Sequence, residues 1–111
     1  MTPFQAAGAA QAIEDVFVLA GLLGHPSTTR DTVARALKAY EYVRLPTANH
    51  VGQVSRDMGR IYELDPAYGK ILDELADGME RLFDWVGGPD APAELERAVR
   101  WCYPDDATAL V

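Results

Sequence analysis

His25, His50 and Cys102 are the side chains in this sequence best suited to hold a metal or act as a nucleophile. Neither histidine has a His, Cys or carboxylate at the short spacing of a metal-binding motif, so no metal site is expected. No G-x-S-x-G turn occurs that would expose a serine nucleophile. Cys102 falls in an apolar helical stripe, where a small thiol packs as core. Glu14 and Asp15 are adjacent, and neighbours on a helix point about 100° apart, so they do not close on one substrate as an acid–base pair. No catalytic residue is expected in this chain.

The segment Met1–Asp15, MTPFQAAGAAQAIED, is a better candidate for binding than for catalysis. It joins a proline-started loop of small residues to an amphipathic helix. The first N–H groups of a helix have no intrahelical acceptor and favour a negative partner. Small residues let that partner approach the backbone closely. The plain alternative is an alanine-rich helix start, since alanine is the best helix former.

These residues need helices to hold them, and the sequence supplies little else. Ile13, Val16, Phe17, Ala20 and Leu23 share one helical face. That helix is expected to begin near Ala6 to Ala9 and to end by Gly24. Thr29 or Asp31 is placed to cap a second helix with Val33, Leu37, Tyr40 and Val43 inward. Pro46 is expected to end or kink it, and Val51, Val54, Met58 and Ile61 mark a third. Asp65-Pro66 reads as a cap for a stripe of Ile71, Leu72, Leu75, Met79, Leu82 and Val86, stopped by Gly87-Gly88-Pro89. Asp90 is placed to cap a last helix with Leu95, Ala98, Val99 and Cys102 inward, ended by Pro104. The expected fold is all-α, four or five helices with no sheet, in a single domain over residues 1–111.

A net charge of -7 disfavours nucleic acid and anionic membrane surfaces as partners. Tyr40, Tyr42, Tyr62 and Tyr68 are not interleaved with a basic patch. The run Val16 to Leu23 falls far short of the roughly 20 apolar residues of a membrane span. One cysteine allows no intrachain disulfide, which fits a reducing, cytoplasmic setting.

Several blocks resemble the FAD-dependent aromatic-ring monooxygenases, the family of salicylate hydroxylase and p-hydroxybenzoate hydroxylase. Pro3, Gln5, Gly8, Gln11, Ala12, Ile13, Glu14 and Asp15 match one block. Lys38-Ala39-Tyr40-Glu41 with Val43-Arg44-Leu45-Pro46, Ser55-Arg56 with Gly59-Arg60-Ile61-Tyr62, and Leu82-Phe83-Asp84-Trp85 with Asp90 match three more. The resemblance implies the C-terminal helical part of an α/β flavoprotein. Intact relatives use FAD, NAD(P)H and O2 to hydroxylate a small aromatic substrate. It also implies that the backbone N–H groups of Gly8, Ala9 and Ala10 approach the pyrimidine edge of the flavin, with Asp15 a structural helix residue.

The departures shape what to expect of the chain alone. Ala6 and Ala10 stand where the family usually carries glycine, and glycine at both is expected to ease the flavin's approach. The dinucleotide-binding G-x-G-x-x-G, the Gly-Asp of the ribityl site and the substrate-covering sheet are absent from this sequence. The chain is therefore expected to begin in mid-fold, to be inactive alone and not to retain FAD. Its expected partner is the missing N-terminal portion or a second copy, met through the face of Ile13, Val16, Phe17, Ala20 and Leu23. The alternative is a non-catalytic helical interaction module derived from such an enzyme.

Overall fold

A computed structural model of the chain describes residues 1–86 and 90–107. Among these residues five helices follow one another: α1 Gly8–Leu23, α2 Val33–Tyr62, α3 Leu72–Arg81, α4 Ala91–Cys102 and α5 Pro104–Ala107. Single 3₁₀ turns cover Pro3–Gln5 and Pro66–Tyr68. No strand occurs among the described residues, in line with the all-α expectation.

Local chemistry accounts for most helix ends. Ala6 donates its N–H to Pro3 O at 3.0 Å and takes a left-handed φ of 52°, which turns the chain into α1. After Leu23, Gly24 N–H reaches Ala20 O at 2.8 Å, and the Thr28 hydroxyl donates to Leu22 O at 2.6 Å. Thr29, rather than Asp31, leads into α2: its carbonyl accepts Val33 N–H at 2.9 Å, and its N–H donates to the Thr32 hydroxyl at 2.8 Å. Asp90 caps α4 by accepting Ala93 N–H at 2.9 Å.

Of the end or kink expected at Pro46, the end does not occur: Pro46 lies inside the 30-residue α2. An interior proline removes one helical hydrogen bond and costs about 3 kcal/mol or more. Its would-be acceptor belongs to Tyr42, an exposed residue whose carbonyl can turn to water. Buried Val43 and Arg44 precede the proline, and buried Val51, Val54, Met58 and Ile61 follow it. Packing on both flanks therefore outweighs the local loss.

α2 stops after Tyr62 in a Schellman arrangement. Leu64 N–H bonds Ile61 O at 2.9 Å and Asp65 N–H bonds Arg60 O at 3.0 Å. This motif wants a left-handed residue, usually glycine; here Leu64 takes it, with φ 58°. The Asp65 side chain then accepts Ala67 N–H at 3.0 Å, the expected cap followed by proline, although that turn ends at Tyr68. α3 is shorter than its apolar stripe. Ile71, Leu72 and Val86 lie outside its buried face and are exposed, while Leu75, Met79 and Leu82 are half-buried. The expected Gly87-Gly88-Pro89 stop lies outside the described residues.

The described residues pack as two units: Met1–Ala9 with the described part of Ala48–Gly88, and Ala10–Thr47 with the described part of Pro89–Val111. The division in α2 thus falls just after Pro46. In the first unit Ala7, Val51, Val54, Met58 and Ile61 are buried, with Gln5 and Ser55 among them. The second is centred on Val18, Leu22, Ala36, Ala39, Val43, Ala98, Val99 and Cys102.

α1 turns a different face inward from the one its apolar spacing suggests. Gln11, Val18 and Leu22 are buried, whereas Ile13, Val16, Phe17, Ala20 and Leu23 are exposed. The buried face is set by polar partners and close packing. A Cβ on Gly21 would stand 2.5 Å from Leu95 Cδ2, so α1 and α4 pack closely there and a larger residue would displace the Leu95 side chain. Along the first half of α2, Ala36, Ala39 and Val43 point inward and Leu37 outward.

Candidate functional site

Gly8, Ala9 and Ala10 form the first turn of α1, and all three are exposed. Their N–H groups belong to the orphan donors of a helix start. A Cβ on Gly8 would meet nothing within 4 Å, so the backbone there is open to a ligand. The donor set is purely N–H, which suits an electron-rich or anionic edge. Ala6, just before this turn, keeps a methyl group at a left-handed angle that glycine adopts without strain.

Further along α1, polar side chains gather on Arg44, which is buried at 2% exposure. Arg44 Nη2 donates to Gln11 Oε1 at 2.9 Å, and Nε donates to Asp15 Oδ1 at 2.6 Å. Nη1 donates to Glu14 Oε2 at 3.1 Å and to Glu94 Oε2 of α4. Glu94, fully buried, also accepts the Thr47 hydroxyl at 3.1 Å. Burial works against the Arg44 charge, but hydrogen bonds to Asp15 and Glu94 and their negative charges outweigh it and hold its pKa above the ordinary arginine value. Nearby, burial and the charge of Asp15 raise the Tyr40 phenol, partly offset by Arg44.

A second set of contacts lies within the first unit, between Met1–Ala9 and the rest of it. Gln5 Nε2 donates to Leu82 O at 2.8 Å, and Trp85 Nε1 donates to Gln5 Oε1 at 2.7 Å. The Ser55 hydroxyl donates to Thr2 O at 2.6 Å, leaving Thr2 Oγ1 to donate to Ser55 Oγ at 2.7 Å. The Phe4 ring lies where a side chain on Gly59 would be and meets Tyr62 edge-on at 5.7 Å.

Most of the residues quoted for the resemblance therefore build the fold. Gln11, Glu14 and Asp15 converge on Arg44, Gln5 on Trp85, and Asp90 caps α4. Sequence reasoning missed Glu94 and the burial of Arg44; the available signal was an acid within the inward stripe of α4. His25 stacks on Tyr103 at 4.9 Å and accepts Ser27 N–H at Nδ1, while Cys102 is core. Among the described residues, no group of three or more His, Cys, Asp or Glu side chains is placed to hold a metal ion. No helix among them is long and apolar enough to cross a membrane.

The chain is 38% identical over 99 residues to a salicylate hydroxylase of Pseudomonas putida; the match covers 88% of this chain and 23% of that protein. It is 38% identical over 109 residues to an FAD-dependent monooxygenase of Gibberella moniliformis, covering 87% of this chain and 24% of that one. A 3-amino-4-hydroxybenzoate 2-monooxygenase of Streptomyces platensis is 38% identical over 94 residues, 82% of this chain and 23% of that one. No family model matches the chain, and no solved structure does. The helical fold and these matches define a segment of a flavin-dependent oxygenase. The chain belongs to the FAD-dependent monooxygenases, and it spans about a quarter of the length of the curated relatives it matches.

Proposed function

We propose that the chain is the C-terminal helical segment of an FAD-dependent monooxygenase, one that hydroxylates a small aromatic substrate with NAD(P)H and O2. The observation that carries this reading is the similarity over 88% of the chain to salicylate hydroxylase. Bound FAD supplies the oxygen-activating redox chemistry in such enzymes. The chain's own share is to present the N–H groups of Gly8, Ala9 and Ala10 to the pyrimidine edge of the flavin, where a helix start favours negative charge. Arg44 bonds Gln11, the residue that follows that turn. The exposed face of Ile13, Val16, Phe17, Ala20 and Leu23 is where the rest of the enzyme packs. A cytoplasmic setting belongs to the same reading.

The chain alone does not retain FAD, because one backbone turn cannot offset the cost of fixing a large flexible ligand. The test is a chimera in which this chain replaces the matching segment of the Pseudomonas putida salicylate hydroxylase. Flavin content and salicylate-dependent NAD(P)H oxidation are then measured. A flavin-loaded chimera is expected. A folded chimera without flavin would overturn the reading and leave the exposed α1 face to a non-catalytic interaction module. Saturable FAD binding by the isolated chain would contradict the claim that it needs the remainder of the enzyme.

A further inference from the structure

Ala10 and the whole Arg44 cluster belong to one packing unit. The charges of that cluster do not cancel. One guanidinium faces the carboxylates of Glu14, Asp15 and Glu94, and among the described residues no other ion pair reaches any of the three. The formal balance, one positive charge against three negative, is -2. Arg44 and Glu94 are buried, and Glu14 and Asp15 are only one-third exposed, so water and salt screen the excess in part. The excess is felt outside the cluster. Burial raises the Tyr40 phenol most, the charge of Asp15 raises it next, and Arg44 offsets only part of that. Gln11, the residue after Ala10, donates from Nε2 to Glu14 Oε2 at 3.3 Å. Glu14 stands four residues from Ala10 in α1, about 6 Å along the axis, and residues at that spacing share a helix face.

We propose that Glu14 and Asp15 tune the reduction potential of the flavin received at the Ala10 N–H, holding it lower than the helix start alone would. This rests on the flavin reading given above. Hydride from NAD(P)H carries two electrons and one proton, so the reduced flavin bears one more negative charge than the oxidised form. The free N–H groups of the helix start favour that added charge. The negative excess one turn further along α1 opposes it, because like charges repel across a region that water fills only in part. The two fields act on the same edge of the ring with opposite sign, and their difference sets how readily the flavin is reduced. A lower potential makes the reduced flavin a stronger donor to O2. Glu14 and Asp15 touch neither flavin nor substrate in this arrangement; they act through the field they place behind the Ala10 donor.

The salicylate hydroxylase chimera described above tests this. Its bound flavin is titrated against dyes of known potential and followed by absorbance. Glu14→Gln and Asp15→Asn each keep an oxygen acceptor for Arg44 and remove one negative charge. Each is expected to favour reduced over oxidised flavin about tenfold, a rise of about 30 mV for a two-electron couple. Glu14→Asp keeps the charge and changes only the length of the side chain. Glu96→Gln removes a charge from an exposed side chain of α4 outside the cluster. Both are expected to leave the potential in place, and circular dichroism verifies that every variant folds. An unmoved or lowered potential in both Glu14→Gln and Asp15→Asn would overturn the proposal. So would an equal rise in Glu14→Asp or Glu96→Gln. A chimera that takes up no flavin would overturn the flavin assignment and this inference with it, whereas a flavin-loaded chimera with an unmoved potential overturns this inference alone.

Discussion

Arg44 donates from Nε to Asp15 Oδ1 at 2.6 Å, so a guanidinium buried to 2% exposure is held by a carboxylate one-third exposed. The same guanidinium bonds Gln11, Glu14 and Glu94, and thereby joins α1, α2 and α4. A buried ion cluster of this kind costs heavily to assemble, because its charges leave water. Its value lies in register: Arg44 is satisfied only when three particular helix faces meet.

Arg44→Met is therefore expected to destabilise the chain by about 3–5 kcal/mol, since it leaves Glu94 buried without its cation. Against a typical domain stability of about 5–15 kcal/mol, that is a large fraction. Urea unfolding followed by circular dichroism measures it. A loss below about 1 kcal/mol, the scale of an exposed ion pair, would show that the cluster is solvated and of little consequence.

Ala6→Gly and Leu64→Gly should each stabilise the chain by about 0.5–1 kcal/mol. Both residues hold a left-handed angle, with φ 52° and 58°. Relief of about 1–2 kcal/mol of strain is partly offset by the greater freedom of glycine in the unfolded chain. Thermal unfolding of the two variants checks this, and a lower melting temperature for either would show that its angle carries no strain.

The two faces of α1 should respond very differently to truncation. Leu22→Ala, at a fully buried position, is expected to cost about 2–5 kcal/mol. Ile13→Ala, at 71% exposure, should change stability by about 0.5 kcal/mol or less. Denaturant midpoints of the two proteins decide this; equal losses would mean that the apolar spacing, and not the observed face, describes the packing.

Two surface groups predict opposite pH dependences. The Tyr68 hydroxyl donates to Asp57 at 2.7 Å, which raises its pKa above the usual value near 10. Its contribution to stability is present below that value and is lost as pH rises through the higher folded-state pKa. Asp65 accepts Ala67 N–H and pairs with Arg60, which lowers its pKa. Its contribution is present above the ordinary carboxylate value and is lost as pH falls through the lower folded-state pKa. Stability measured against pH should therefore lose its alkaline shoulder in Tyr68→Phe and its acidic one in Asp65→Asn. An unchanged profile in either variant would refute the corresponding assignment.

What the sequence alone determined is local in origin. Helical spacing located the inward sets Val51, Val54, Met58 and Ile61, all buried, and Leu95, Ala98, Val99 and Cys102, buried except for half-buried Leu95. Gly24 marked the end of α1 and Asp90 a cap that forms as expected, whereas Asp65 caps a 3₁₀ turn ending at Tyr68 and not the helix that follows. The matching blocks identified the family. Tertiary structure decided the rest: which face of α1 is buried, that α2 continues through Pro46, that Leu64 takes a left-handed angle, and that Arg44 sits among three carboxylates. Periodicity reports that an apolar stripe exists, but a polar group can be buried only where partners from elsewhere in the chain converge on it. The partners of Arg44 lie 29 to 50 residues away, beyond the reach of any local pattern, and their convergence turned the apolar stripe of α1 outward.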